Sequence, residues 1–151
     1  MGGDICRGLQ YLHSINIVHR DLKSKNVLLS ALPPLCCAKL CDFGMARMHL
    51  ESATMTGECS PVLRLHSSPS LLLSGNVGTV HWTAPEVIAN QRYRFSADVY
   101  SLVMVLYEMA TGLIPFHKFI PVAVMMAVVV NKQQPEIPSN VSLPLASLIR
   151  R

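Results

Sequence analysis

Apolar positions set the rhythm of the first fifteen residues. Ile5, Leu9, Leu12 and Ile15 recur at spacings of four, three and three, which places them on one stripe of an α-helix, and Asp4 just ahead of them suits an N-cap. The period then shortens. Residues 17–19 predict a short strand, and Val27-Leu28-Leu29 and Ala38-Lys39-Leu40-Cys41 predict two more. The connection SALPPLC contains Pro33-Pro34, which forbids helix, so the last two strands read as a hairpin. Between the strands at 17–19 and 27–29 lies HRDLKSKN, a polar cluster on a rigidly supported connection.

From Met45 to Val80 no period survives and Ser, Thr, Pro and Gly accumulate, which predicts a mobile segment. Order is expected again from Trp82. A helix over residues 96–111 has apolar Val99, Leu102, Val103, Leu106, Met109 and Ala110, with Met104, Val105 and Tyr107 filling much of the other face. Such a helix is expected at the centre of the domain. Gly112 and Pro115 end it, a further helix is expected over residues 122–130, and QQPEIPSN reads as a loop. Glu108, Gly112 and Pro115 interrupt one apolar stretch, and the other runs from Ile120 to Val130; both fall short of the ~20 residues that span a membrane.

Composition narrows the class. With 151 residues, 50% of them hydrophobic and 15% charged, one packed globular domain is expected. The net charge of +4 is spread over scattered Lys and Arg, so neither nucleic acid nor an anionic membrane is implied, while a small anionic ligand remains compatible. Five cysteines form no CxxC pair and no even framework, so reduced thiols in an intracellular, cytoplasmic protein are expected, without disulfide or zinc. MGGDICRGLQ lacks the features of a secretory signal, and Cys6 stands where a myristoylation motif wants Ser or Thr.

The polar cluster carries the chemistry. His19, Arg20, Asp21, Leu22 and Asn26 fit H-R-D-L-x-x-x-N, and Asp42-Phe43-Gly44 and Ala84-Pro85-Glu86 follow in the order D-F-G, A-P-E. On these motifs the chain resembles a protein kinase, specifically its C-terminal lobe. The resemblance implies an α+β, mainly α fold, with residues 1–151 forming a partial kinase domain. The wording HRDLKSKNVLL and GTVHWTAPEV is similar to the tyrosine-kinase-like group, which includes the Raf and mixed-lineage kinases. Phosphoryl transfer from ATP depends on positioning and on neutralising charge. The resemblance therefore implies ATP and Mg²⁺ as cofactors, Asp21 as base, Asn26 and Asp42 as oxygen ligands of the metal, and Lys23 against the transferred phosphoryl group. Lys23 two positions after Asp21, with Thr83 just before Ala84, resembles kinases acting on serine and threonine of protein substrates.

Other residues receive supporting roles by the same resemblance. His19 is structural, as are Phe43 and Gly44 of D-F-G. Arg20 receives an activation-segment phosphate, for which Ser52, Thr54, Thr56, Ser60, Ser67, Ser68, Ser70, Ser74 and Thr79 are acceptors. Asp98 either favours a helix N-terminus through the dipole or bonds the backbone of the 19–26 loop. Two departures stand out. The chain holds no Gly-x-Gly-x-x-Gly and no V-A-I-K lysine, so the nucleotide-covering lobe is expected to be absent or supplied by a separate lobe or scaffold. The sequence stops before the arginine expected to pair with Glu86, and SPVLRLHSSPSLLLS lengthens the segment between D-F-G and A-P-E. The rival reading is a non-catalytic, kinase-like interaction module in which Asp21, Asn26 and Asp42 merely cap loops.

Overall fold

The computed structural model describes residues 1–31, 36–48, 77–139 and 141–149. Helix α1, Gly2–Ser14, buries Ile5, Leu9 and Leu12 as its spacing requires. Its start differs from expectation. Asp4 lies in the first turn rather than at the cap, and its Oδ2 accepts the Ala38 N–H at 3.2 Å. The carboxylate thus ties α1 to a strand, while its Oδ1 accepts from Arg7 of the same helix at 2.6 Å. Ile15 falls beyond the helix and is exposed.

Strand β1, Ile17–Val18, does not pair with the hairpin. It runs antiparallel to β4, Arg47–Met48, a strand inside the stretch where no period was found. Strands β2, Val27–Leu29, and β3, Ala38–Leu40, form the expected hairpin, with Val27 opposite Leu40 and Leu29 opposite Ala38. The Pro33-Pro34 turn and residues 49–76, which hold eight of the nine expected phosphate acceptors, lie outside the described residues. At the edges of the expected mobile segment, Met45 closes a 3₁₀ turn over Phe43–Met45, and Thr79 and Val80 sit in another over Val77–Trp82.

Helix α2, Pro85–Ile88, opens with proline at its first position, where a missing N–H costs nothing. Helix α3, Phe95–Thr111, ends at Gly112 in the left-handed conformation, φ 70°. The expectation that α3 is central holds on one side only. Ala97, Asp98, Ser101, Met104, Val105 and Tyr107 are buried, whereas Val99 and Met109 are 49% and 46% exposed. Helix α4, Pro121–Met125, widens into a π stretch over Met126–Val130, so the expected 122–130 helix is not regular throughout. Helix α5, Leu143–Ile149, was not anticipated. Among the described residues no helix is long and apolar enough to cross a membrane.

Three buried clusters hold these pieces together. Ile5, Leu9, Leu22, Trp82, Met104 and Val105 join α1, the 19–26 loop and α3. Val80, Phe116, Val124 and Val128 join the 3₁₀ turn to α4, and Ala84, Tyr93 and Ala97 join the A-P-E segment to α3. Tyr100 packs against all three. Burial pushes its phenol up to about 12, and the Glu86 charge adds to the shift. Below the ordinary tyrosine value near 10 both folded and unfolded chains keep this proton. Between there and about 12 only the unfolded chain ionises, so stability falls with rising pH. Urea midpoints measured at about pH 9 and about pH 11 are expected to drop less in Tyr100→Phe than in wild type. An equal drop would remove Tyr100 from this role, since Tyr107, also pushed up mainly by burial, remains in both proteins.

Candidate active site

One carboxylate organises the polar loop. Asp98, in the first turn of α3, is 1% exposed. Its Oδ2 accepts the His19 N–H at 2.8 Å and its Oδ1 accepts the Arg20 N–H at 2.9 Å. A third donor is His13 of α1, whose Nε2 lies 2.9 Å from Oδ2. Arg20, whose N–H makes the second of these bonds, stands at φ 71°, a left-handed conformation that costs a non-glycine residue on the order of 1–3 kcal/mol. The turn there delivers Asp21 next in sequence, and buried Leu22 anchors it from the other side in the main core.

Asp21 is itself buried, and its Oδ2 accepts from Lys23 Nζ at 2.7 Å and from Asn26 Nδ2 at 3.1 Å. Asn26 Nδ2 also donates to the Asp21 backbone oxygen at 2.7 Å, closing the loop into a ring of bonds. The Asn26 backbone oxygen accepts the Cys41 N–H at 3.0 Å, so the hairpin brings Asp42 beside Asn26. Asp42 is exposed and also left-handed, φ 61°, and its Oδ1 accepts the Gly44 N–H at 3.4 Å. A Cβ on Gly44 would stand 3.3 Å from that oxygen, so glycine leaves the carboxylate room.

His19 is fully buried, with Nε2 donating to the Cys41 backbone oxygen at 3.1 Å and Nδ1 left without a partner among the described residues. Its ring meets that of Phe43 at 5.3 Å, while Phe43 remains 48% exposed. The Arg20 guanidinium lies 5.5 Å over the Tyr93 ring and donates to the Met45 backbone oxygen at 3.3 Å. Glu86 Oε1 accepts from Ser96 Oγ at 3.4 Å.

Lys23 reaches the segment ahead of A-P-E through Thr79. Its ammonium donates to Thr79 Oγ1 at 3.1 Å, while the Thr83 hydroxyl donates back to the Thr79 backbone oxygen at 3.0 Å. The reason is local: the tight turn ending at Trp82 stacks Thr83 one turn behind Thr79 and puts only the latter hydroxyl on the loop. Thr79 had been read solely as a phosphate acceptor. It lines a cavity of about 90 Å³ together with Asp21, Arg20, Thr83 and Tyr93.

The chemistry of these donors fits a hard cation. Asn26 uses its amide nitrogen on Asp21, which leaves an amide oxygen, and Asp42, one residue beyond the Cys41 that bonds the Asn26 backbone, supplies an exposed carboxylate. Among the described residues no three His, Cys, Asp or Glu side chains converge, so a metal here would complete its shell with water and ligand oxygens.

The protein kinase domain family matches residues 1–151, and the chain belongs to that family. It is 37% identical over 148 residues to serine/threonine-protein kinase STY46 and 36% identical over 148 residues to serine/threonine/tyrosine-protein kinase HT1, both of Arabidopsis thaliana. It is 34% identical over 151 residues to serine/threonine-protein kinase CTR1 of the same plant. These alignments cover 98%, 98% and 99% of the chain but 22%, 33% and 16% of the relatives. The chain thus spans a third or less of the curated relatives it matches. They are of the tyrosine-kinase-like type that the sequence resembles.

The Asp21–Asn26 contact gives a direct test. Asn26→Asp places a second carboxylate against the first and removes the donor to the Asp21 backbone oxygen. Unfolding in urea at neutral pH is expected to show a loss of about 1–3 kcal/mol relative to wild type. A variant as stable as wild type would mean that the two side chains do not share the site.

Proposed function

We propose that the chain is the C-terminal lobe of a serine/threonine protein kinase that transfers the γ-phosphoryl group of ATP to serine and threonine hydroxyls of a protein substrate. The observation that carries this reading is the ring formed by Asp21, Lys23 and Asn26, set beside Asp42. Asp21 receives the proton of the attacking hydroxyl. Its Oδ2 is occupied by Lys23 and Asn26, and Oδ1 carries neither of those bonds. Lys23, bonded to both Asp21 and Thr79, places one positive charge where the transferred group passes. Asn26 and Asp42 would hold Mg²⁺, which neutralises phosphate charge when bound. His19, Phe43 and Gly44 shape the backbone under these groups, and Glu86 steadies the A-P-E segment. Arg20 offers a cation for an activation-segment phosphate, in exchange for its contact with Tyr93.

The 151 residues contain neither a glycine-rich strand nor its lysine, so by themselves they hold ATP weakly and transfer little. A nucleotide-covering lobe or scaffold completes the site. An intracellular, cytoplasmic setting accompanies this reading. The alternative, an interaction module without catalysis, draws on the exposed Val122, Met126 and Val130, which recur every fourth residue along α4 and the π stretch.

Fusion to a kinase N-terminal lobe discriminates the two. Transfer of labelled phosphate to a generic protein substrate is expected, and Asp21→Asn is expected to slow it by about a hundredfold or more with nucleotide binding retained. No transfer by a folded, nucleotide-binding fusion would favour the interaction module, and undiminished transfer by the mutant would remove Asp21 as base.

A further inference from the structure

We infer that His13, on the helix preceding the polar loop, is a proton-sensing positioning residue that links the charge state of α1 to the geometry of residues 19–21. The first observation is geometric. A carboxylate that is 1% exposed keeps its charge only where donors surround it, and Asp98 has the His19 N–H, the Arg20 N–H and His13 Nε2. Two of these donors are neutral amides. His13 is the one donor of the three whose side chain can carry a positive charge.

Access and orientation complete the case. The His13 side chain is 18% exposed, so protons reach it while Asp98 stays sealed. It stands in the last turn of α1, where the helix dipole favours a cation. Its ring stacks on Phe95 with centroids 4.5 Å apart, which fixes the imidazole plane toward the carboxylate. Because a carboxylate only accepts, Nε2 carries hydrogen in both protonation states; what changes is the net charge of the pair, from −1 to zero. His13 and the His19 N–H share Oδ2, so electron density drawn by an imidazolium is density withdrawn from the bond that orients the loop.

Several of the described elements bring ionisable groups toward this pair. Asp98 comes from α3, His13 from α1, and His19, Arg20, Asp21 and Lys23 from the loop, with Arg47 on the strand paired to β1. Arginine and lysine hold their charge throughout the range in question. His19 is fully buried, its Nε2 committed to the Cys41 backbone oxygen.

The consequence for phosphoryl transfer rests on the kinase reading, because Asp21 follows Arg20 directly. The proton linkage itself does not. Nuclear magnetic resonance on the uniformly labelled 151-residue chain between about pH 5 and 8 reads both imidazoles and the loop amides separately. The His19 and Arg20 amide resonances are expected to shift with the midpoint of the His13 imidazole, and to lose that shift in His13→Gln, whose amide still donates to Asp98. Amides of α4 are expected to ignore it. If the variant does not fold, the wild-type titration decides alone: amides that stay still, or that follow the His19 imidazole instead, overturn the inference. Because no phosphate transfer is measured, failure here leaves the kinase reading standing, and loss of transfer in the fusion leaves this linkage standing.

Discussion

Asp98 is a charge taken almost wholly out of water, and the loop that carries the chemistry is shaped around it. An ion in that position is costly unless donors converge on it. Three do, two of them backbone N–H groups of consecutive residues, His19 and Arg20. Consecutive amides can point at one carboxylate only if the chain between them turns, and Arg20, directly after the second amide, is itself left-handed, which aims the chain on toward Asp21. The strain there is repaid by charge-assisted hydrogen bonds, each worth about 1.5–3 kcal/mol net.

The rest of the site follows from that turn. Asp21 emerges from it into a partly sealed cavity, where Lys23 and Asn26 hold its carboxylate, and Leu22 on the opposite side plugs into the core between α1 and α3. The hairpin adds Asp42 by pairing Cys41 with Asn26, and its own left-handed residue repeats the device on a smaller scale. The loop thus meets the 3₁₀ turn through a side-chain bond and the hairpin through a backbone one. That arrangement is open at Asp42 and Phe43, which are exposed.

Much of this was legible in the residues, for identifiable reasons. The α1 stripe and the β2–β3 hairpin rest on strong local periodicity, and the three motifs are dense enough to mark a family that the whole chain matches. What escaped was non-local. Asp4 reads as a cap because nothing in sequence announces that Ala38 will stand opposite it. β4 has two residues and no period to detect; its existence depends on the unpaired edge of β1. The contact of Lys23 with Thr79 carries no sequence signal, because it depends on how the 3₁₀ turn is phased. His13 belongs to none of the sequence motifs, and only the packing of α1 on α3 shows its partner.

The claim that one carboxylate sets the loop is tested most directly by amide hydrogen exchange in Asp98→Asn. An asparagine keeps a single acceptor oxygen and turns a donor toward the other amide. His19 and Arg20 are therefore expected to exchange faster by about tenfold or more, with amides in α4 unchanged. Unaltered protection at both residues, or a uniform increase across the whole chain, would contradict the account.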